Sequence, residues 1–214
     1  MPPATLESLL ERLKETEERL RKSEKENKDL ATLCAQVQDQ NEAITNLYVA
    51  SQRLHATLDP AEVLEIVLEI LAELVGAEQF GVLLLDEQKE TLQLVAGKGV
   101  QKGLPAGTLP AGDGAIGKAT LSGEPFFRES GAGAEGLSRV PLAAIPLGFR
   151  GNAVGAIAIY KLLGQKNGFS SVDRELLQLL ADHAATALVT ARLHAAVNRK
   201  LKTIEGFIRL MREG

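Results

Sequence analysis

The sequence predicts an α+β fold, in which an antiparallel sheet is flanked by helices and preceded by a long N-terminal coiled-coil helix. Three observations predict it. A seven-residue apolar repeat runs through the first 55 residues, apolar strand candidates then follow in pairs joined by short turns, and a long helical pattern closes the chain. Because short turns join antiparallel strands, we assign the sheet to the α+β class.

The seven-residue repeat is unbroken from Leu6 to His55. With Leu6 at position a, the a positions are Leu6, Leu13, Leu20, Asn27, Cys34, Asn41, Tyr48 and His55, and the d positions are Leu9, Thr16, Ser23, Leu30, Val37, Ile44 and Ser51. Such a stripe is typical of helices that pair along their a and d positions. We therefore expect residues 1–43 to form a parallel coiled coil, with dimer contacts from Leu6, Leu13, Leu20, Asn27, Leu30, Cys34, Val37, Asn41 and Ile44.

The charges of this helix agree with a parallel, in-register dimer. Arg12 and Arg19 occupy g positions, and Glu17 and Glu24 occupy the e positions that would face them on the partner. The two asparagines at a positions also favour two aligned strands, at some cost in stability. The alternative is a single solvated helix that packs back on its own domain.

The elements of the globular part can be placed in order. A helix is predicted to begin at Asp59-Pro60 and end at Gly76, and a closing helix to begin with a capping box formed by Ser170 and Asp173. Pro141 and Pro146 predict an edge or bulge on their strand. The strand candidates are 80–86, 91–97, 124–130, 139–149 and 153–163, and the last two form a hairpin about Arg150-Gly151-Asn152.

The composition limits the class of protein. The 214 residues carry a formal net charge of −4 and include one cysteine and no tryptophan. The negative charge argues against nucleic acid as a partner, and one cysteine cannot form an internal disulfide framework or a cysteine-rich metal site. No apolar run is long enough to span a bilayer and the N-terminal segment lacks an apolar signal core, so we expect a cytoplasmic protein.

Four segments in this order and spacing resemble the GAF domain, a small-molecule and signalling module of phosphodiesterases, phytochromes and many bacterial sensors. They are the helix pair and first strand at 47–87, the glycine-rich loop and short helix at 109–127, the hairpin at 140–160 and the closing helix at 167–193. The similarity covers nearly all of 44–195. It implies a GAF/PAS-like domain with an antiparallel sheet. It also implies that the first and last helices of the domain pack with their symmetry mates in a homodimer.

The resemblance also implies where a ligand would bind. In GAF domains that bind one, the small molecule lies on the sheet face beneath the loops and short helices. Our candidates for the side chains that line this pocket are Phe80, Val82, Gly114, Ile116, Phe127 and Leu142. The chain would then consist of a coiled coil at 1–43, a GAF-like domain at 44–195 whose first helix continues the coil, and a basic amphipathic helix at 196–214.

One glycine motif could indicate nucleotide binding. Residues 112–117 match G-x-G-x-x-G, and they miss a Walker A loop by one residue because Ala119 stands where Ser or Thr should follow Lys118. A phosphate loop requires a preceding strand in a parallel βαβ frame, whereas Pro105 and Pro110 precede this segment. We interpret the motif as a glycine turn that enters the helix on the pocket side.

The ligands of several GAF relatives are not expected here. Cyclic-nucleotide-binding members carry Asn-Lys where this chain has Lys166-Asn167, and Asp-Glu where Arg174 follows Asp173. Bilin attachment and methionine sulfoxide reduction use cysteines of the sheet domain, whereas Cys34 lies in the coiled coil. We interpret Cys34 as filler of the coiled-coil core, although two copies face each other in a parallel dimer and could form an interchain disulfide.

The three histidines are scattered along the sequence. His55 occupies an a position, and His183 and His194 lie eleven residues apart on the closing helix, near one face. Haem ligation in GAF domains usually comes from the pocket side instead. We therefore expect neither a cofactor nor a metal, and we place no metal ligand.

The C-terminal segment is basic and amphipathic. Its candidate contacts with a partner or with an acidic membrane are Arg199, Lys200, Lys202, Phe207 and Arg209. The alternative is that this segment extends the dimer bundle and exposes its cations to solvent.

The functional hypothesis follows from these elements. No pair of carboxylates, nucleophile with its base, or metal cluster can be placed, so we expect no enzyme. The main hypothesis is a dimeric regulatory protein whose GAF module binds a small ligand or a partner protein and couples it to helix pairing. The alternative is an adaptor with a vestigial pocket that recruits an unidentified protein through its helices, which the short, small-residue segment 130–138 favours.

Overall fold

A computed structural model describes residues 6–86, 88, 90–100, 108–128, 140–164 and 168–213. The chain divides into two compact units, Met1–Glu42 and Ala43–Gly214. One long helix, α1, contains the described part of the first unit and the beginning of the second. The predicted segment 130–138 and the Lys166-Asn167 pair lie outside the described residues.

Helix α1 spans Leu6–Ala56, which confirms the long N-terminal helix predicted from the repeat. Wherever its exposure is described between residues 9 and 46, every side chain is exposed. The exposed fraction is 57% for Leu13, 61% for Leu20 and 64% for Ile44. Leucine and isoleucine side chains are seldom left in water along a whole stripe, because burying each one yields about 1.5–3 kcal/mol.

The described residues of the second unit form one antiparallel sheet and three further helices. The strand order in the sheet is β3-β2-β1-β6-β5-β4, and every described pairing is antiparallel. This confirms the predicted α+β class. The elements after α1 are α2 (Pro60–Glu73), β1 (Ala77–Asp86), β2 (Thr91–Lys98), β3 (Thr108–Pro110), α3 (Gly114–Ser122), β4 (Phe126–Phe127), β5 (Ala143–Phe149), β6 (Asn152–Leu162) and α4 (Ser171–Glu213).

Both predicted helix starts carry side-chain caps. Asp59 Oδ1 accepts a hydrogen bond from the Ala61 backbone N–H at 2.9 Å, and Pro60 occupies the first helical position of α2. At α4, Ser170 Oγ accepts from the Asp173 N–H at 3.1 Å while Asp173 Oδ2 accepts from the Ser170 N–H at 2.8 Å. This reciprocal pair confirms the predicted capping box.

The central hairpin also matches its prediction. Arg150 and Gly151 have φ values of 50° and 81°, the combination that a type I′ turn requires between twisted antiparallel strands. Pro146 lies beyond the two residues of β5, Ala143 and Ala144, that pair with β4. The proline therefore occupies the part of β5 that is next to the edge, where a missing backbone N–H is tolerated.

Two elements differ from their predictions. The third strand, predicted over 124–130, is the two-residue strand Phe126–Phe127. The predicted strands include none between residues 97 and 124, whereas Thr108–Pro110 adds an edge strand to β2. Both are short strands in segments rich in Gly and Pro, where an alternating apolar pattern has too few residues to be recognised.

The two faces of the sheet are covered by different helices. On one face, Phe80 and Val82 of β1 and Ile157 and Ile159 of β6 belong to the larger apolar cluster, which we call the helix-side cluster. Helices α2 and α4 supply most of its other members, and the last turns of α1 contribute Leu47, Ala50 and Leu54. On the other face lies a smaller cluster that includes residues of α3, which we call the α3-side cluster.

A close approach between β1 and β6 fixes the middle of the sheet. A Cβ built on Gly155 would lie 2.0 Å from the Leu83 carbonyl oxygen and 2.9 Å from the Leu84 Cα. Since both atoms belong to the backbone of the neighbouring strand, neither can move without shifting the pairing of β1 with β6.

We therefore expect Gly155→Ala to lower the free energy of unfolding by about 1–3 kcal/mol, because the added methyl group overpacks the sheet. Urea denaturation followed by circular dichroism measures the change. Gly148→Ala is the matched control, since a Cβ there meets nothing within 4 Å and its φ is not positive. A Gly155→Ala variant as stable as the Gly148→Ala variant would contradict the described contact.

Candidate functional site

The α3-side cluster is the candidate site, because it lies on the sheet face that α2 and α4 do not cover. Helix α3 packs against β5 and β6. The buried members of the cluster are Leu83, Leu92, Ile116, Ala119, Ala144, Ala156 and Ala158, and the partly buried members are Leu85, Leu94, Leu109, Phe126 and Tyr160. None of these side chains carries a charge.

The glycine motif builds the entry to α3. Gly112 and Gly114 have φ values of 91° and 63°, which L-residues with a side chain rarely adopt. A Cβ on Gly117 would lie 2.6 Å from the Gly112 backbone nitrogen. The side chain of Asp113 at the N-cap position makes no capping hydrogen bond. The three glycines thus form a tight turn that places α3 over the sheet, in agreement with our structural interpretation of the motif.

Short side chains cover the centre of this face. Ala144 on β5 pairs with Ala158 on β6, and Ala156 pairs with Leu83 on β1. All three alanines are fully buried. Because alanine reaches only one carbon above the sheet, the backbone of β5 and β6 lies closer to α3 here than it would beneath leucine or phenylalanine.

Tyr160 is the polar group of the cluster. Its hydroxyl oxygen is buried and makes no hydrogen bond with any of the described residues. Burial raises the pKa of Tyr160 to about 12, so the hydroxyl is neutral at physiological pH. A buried hydroxyl without a partner is costly, and it offers one donor and one acceptor to a molecule that binds over this face.

A second buried hydroxyl lies on the opposite face. Thr91 Oγ1 also makes no hydrogen bond with the described residues. Its neighbour on the strand, Leu92, belongs to the α3-side cluster. Since adjacent residues of a strand point to opposite faces, Thr91 points away from α3 and does not join Tyr160 in one site.

The sequence-predicted pocket residues are divided between the two faces. Ile116 belongs to the α3-side cluster, and Gly114 begins α3. The other four belong to or pack against the helix-side cluster: Phe80, Val82, Phe127 and Leu142. Strand alternation explains this division. Phe80 and Val82 on β1, and Phe127 on β4, are each one residue away from positions that face α3.

Phe127 instead anchors the closing helix. Its ring makes an edge-on contact with Phe169, with centroids 5.5 Å apart, and the Arg174 guanidinium lies 4.8 Å from its centroid. The neighbouring Phe126 faces the α3-side cluster. The alternating run Ala156 to Tyr160 on β6 was the signal that could have identified the α3 side from the sequence.

The predicted dimerisation residues lie on an exposed stripe of α1. Exposed members with described side chains are Leu13, Leu20, Asn27, Leu30, Cys34, Val37, Asn41 and Ile44. The side chain of Leu6 lies outside the described part of the structure. Tyr48 extends the exposed stripe towards the end of the helix.

The predicted tail contacts lie on the C-terminal half of α4. Arg199, Lys200, Lys202 and Arg209 are exposed, and the side chain of Phe207 is not among those described. An apolar stripe runs along the same segment with spacings of four, three, four and three residues. Its exposed members are Val197, Leu201, Ile204, Ile208 and Met211.

The comparisons with known proteins agree with this architecture. A family model described as the GAF domain matches residues 59–190. This is more than half of the chain, so the chain belongs to the GAF-domain family, and the resemblance found in the sequence is confirmed. GAF domains are regulatory and sensory modules. Comparison with the curated proteins finds no match.

Solved GAF structures share the fold at low identity. The GAF domain of a phosphoenolpyruvate-protein phosphotransferase from Coxiella burnetii is 22% identical, with a TM-score of 0.61 over 73% of this chain and 98% of that one. The free methionine-R-sulfoxide reductase from Neisseria meningitidis is 21% identical, with a TM-score of 0.57 over 72% and 93%. The GAF-B domain of DevS from Mycobacterium smegmatis is 24% identical, with a TM-score of 0.51 over 66% and 99%.

The described helices can be compared with the requirements of a membrane-spanning helix. Within the described parts of the chain, none of the helices combines the length and the apolar composition that crossing a bilayer requires.

The raised pKa of Tyr160 predicts a pH dependence. The ordinary tyrosine pKa is 10.0 and that of folded Tyr160 is about 12, so unfolding releases a proton between these pH values. Stability is therefore unaffected by this group below pH 10, and it falls as the pH rises from 10 to 12. In a Tyr48→Phe variant only Tyr160 remains, and we expect its ultraviolet titration to have a midpoint near 12. A midpoint near 10 would show that the hydroxyl is accessible to water.

Proposed function

We propose that this chain is a non-catalytic regulatory protein that works as a parallel dimer, with a GAF domain that binds a small, mostly apolar ligand over the α3-side cluster. The observation that carries the ligand proposal is the buried hydroxyl of Tyr160, which the described residues leave without a hydrogen bond beside the apolar side chains of the cluster. A neutral ligand with one hydrogen-bonding group matches this chemistry, and a ligand with several charges does not.

The exposed stripe of α1 supports the dimer. Its apolar a and d residues from Leu9 to Tyr48 repeat every seven residues and remain exposed in the single chain. Two such helices would bury their leucines against each other, and the g-to-e charge pairs would attract in a parallel alignment. The apolar stripe on the C-terminal half of α4 has the same four-and-three spacing, so we propose that it pairs with its symmetry mate as well.

The same strand contributes to both faces of the domain. On β6, Ala158 and Tyr160 face the α3 side, whereas Ile157 and Ile159 pack in the helix-side cluster with residues of α1 and α4. We propose that a ligand bound over Ala158 and Tyr160 shifts Ile157 and Ile159. This shift would in turn change how the α1 helices of the two chains pair. By linkage, the dimer and the isolated chain would then bind the ligand with different affinities.

The dimer is tested by placing charge in the a positions. We expect the wild type to sediment with twice the mass of one chain, which is 22.9 kDa. In Leu13→Asp, Leu20→Asp the dissociation constant should rise by about 100-fold or more, because each lost leucine removes about 1.5–3 kcal/mol of burial. Sedimentation equilibrium measures the mass of the wild type and the dissociation constant of the variant. Ala35→Asp, Gln36→Asp is the control, since it adds the same charge at b and c positions.

The single cysteine reports the orientation of the two helices. In a parallel, aligned dimer the two copies of Cys34 face each other at an a position, so mild oxidation should convert the wild type to a disulfide-linked dimer on a non-reducing gel. The Leu13→Asp, Leu20→Asp variant should remain uncrosslinked. A wild-type dimer that resists crosslinking would exclude the parallel alignment, and a wild-type monomer would exclude the dimer itself.

The ligand proposal is tested with Tyr160→Phe, which removes only the hydroxyl. If this hydroxyl is unpaired in the free protein, the variant should be at least as stable as the wild type, because no hydrogen bond is lost. Its affinity for a ligand found by native mass spectrometry and thermal shift against a metabolite library should fall about tenfold. Thr91→Val, which removes the unpaired hydroxyl on the opposite face of the sheet, is the control.

Two outcomes would contradict the ligand proposal. The first is that no member of the library binds the wild type, which would favour the adaptor in which the chain recruits proteins through its helices. The second is a ligand that binds Tyr160→Phe and the wild type equally well, which would place the binding site elsewhere.

A further inference from the structure

Two of the three histidines come together where the end of α1 meets α4. The ring centroids of His55 and His183 lie 5.7 Å apart, with an angle of 76° between the ring planes. His55 is exposed and His183 is half-buried. The pair lies within the second compact unit, and one imidazole is accessible from solvent while the other is held against the domain.

The separation of the rings suits a shared metal ion. A zinc ion binds an imidazole nitrogen at about 2.0–2.1 Å and thus lies about 3.2 Å from the ring centroid. Two imidazoles on one ion therefore have centroids about 5.2 Å apart in ideal tetrahedral geometry, and about 6.4 Å apart at most. The observed 5.7 Å falls within this range. The rings are now in edge-on contact, so the exposed ring of His55 would turn about its χ2 bond until both imidazoles direct a nitrogen at one ion.

Ser51 provides the support that a metal-binding histidine requires. Its hydroxyl oxygen lies 3.3 Å from His183 Nδ1. When Nδ1 carries the proton it donates to Ser51, and Nε2 then has the free lone pair that binds a metal. Histidines that bind metals almost always donate the other ring N–H to an oxygen acceptor, usually a carboxylate, a backbone carbonyl or water, which fixes the tautomer and the orientation of the ring. Here the Ser51 hydroxyl oxygen would take that place.

The position of His55 on α1 would bring a second copy of the chain to the site. His55 occupies an a position and Ser51 a d position of the seven-residue repeat, on the same stripe as Ile44 and Tyr48. In the proposed parallel dimer, a positions of the two helices face each other. The two copies of His55 would therefore meet near the dimer axis, and each has its own His183 beside it.

We propose that His55 and His183 form a site for a divalent transition metal, with zinc as the reference ion, in which each chain supplies two imidazoles and the dimer completes a four-nitrogen set. Among the described residues, no three His, Cys, Asp or Glu side chains of one chain are grouped to hold a metal. One chain is thus an incomplete site. Imidazole suits zinc, copper and nickel, whereas calcium and magnesium require oxygen ligands.

A metal at this position would have a regulatory effect. It would link α1 to α4 within each chain and one chain to the other. It would therefore stabilise the dimer by an amount that grows with the logarithm of the metal concentration divided by its dissociation constant. The inference rests on the parallel dimer of the proposed function, and it is independent of any ligand over the α3-side cluster.

The experiment is a zinc titration of the metal-free, full-length protein by calorimetry, with the mass of each sample measured by sedimentation. We expect one zinc ion per two chains. His55→Asn and His183→Asn should each weaken binding at least 100-fold, and Ser51→Ala about tenfold. His194→Asn is the control and should change the affinity by less than twofold. His194 is exposed, lies near Asn198, and is about 16 Å along α4 from His183.

A second measurement needs no variant. The chain has three histidines, so their imidazole C–H resonances can be followed by nuclear magnetic resonance during the titration. We expect zinc to shift two sets of resonances and to leave the third, that of His194, unchanged. Shifts of all three, or of His194 alone, would overturn the proposal.

The remaining outcomes distinguish a failure of the proposed metal site from a failure of the proposed dimer. A wild-type dimer that fails to bind zinc overturns the metal site and leaves the dimer standing. A wild-type monomer that fails to bind zinc overturns both. One zinc ion per chain, or full affinity in His55→Asn or His183→Asn, also overturns the shared four-nitrogen site.

Discussion

The alternation of side chains along β6 is the constraint on which the rest of the domain depends. This strand lies between β1 and β5 in the sheet, and its residues point in turn to the helix-side cluster and to the α3-side cluster. Isoleucines fill the first, and alanines with Tyr160 cover the second. The close approach at Gly155 fixes the pairing of β6 with β1, and thereby which residues face each side.

The two faces have different consequences for function. The helix-side cluster contains large aliphatic side chains in contact with three helices, and it holds the ends of α1 and α4 against the sheet. The α3-side cluster is smaller, and it includes a polar atom that the described residues leave unpaired. The proposed ligand would therefore bind on the α3 side and act on the helices through the helix-side cluster.

In the proposed dimer, the α1 helix would link these features to a second copy of the chain. Its first turns expose a repeated apolar stripe, and its last turns carry Leu47 and Leu54 into the domain and His55 towards His183. The helix continues from one unit into the next without a break. Pairing of two such helices, a bound ligand and a metal ion would all act on the same contacts, so each would influence the others.

The sequence by itself determined the elements whose signal is local and repeated. The heptad of α1, the capping box at Ser170, the Arg150-Gly151 turn and the GAF blocks could all be identified, because propensity and periodicity act over a few neighbouring residues. Only the tertiary structure decided which of two adjacent strand residues faces α3, since a shift of one position exchanges the faces. It also brought Ser51 to His183, 132 positions away, because packing and not sequence distance sets such contacts.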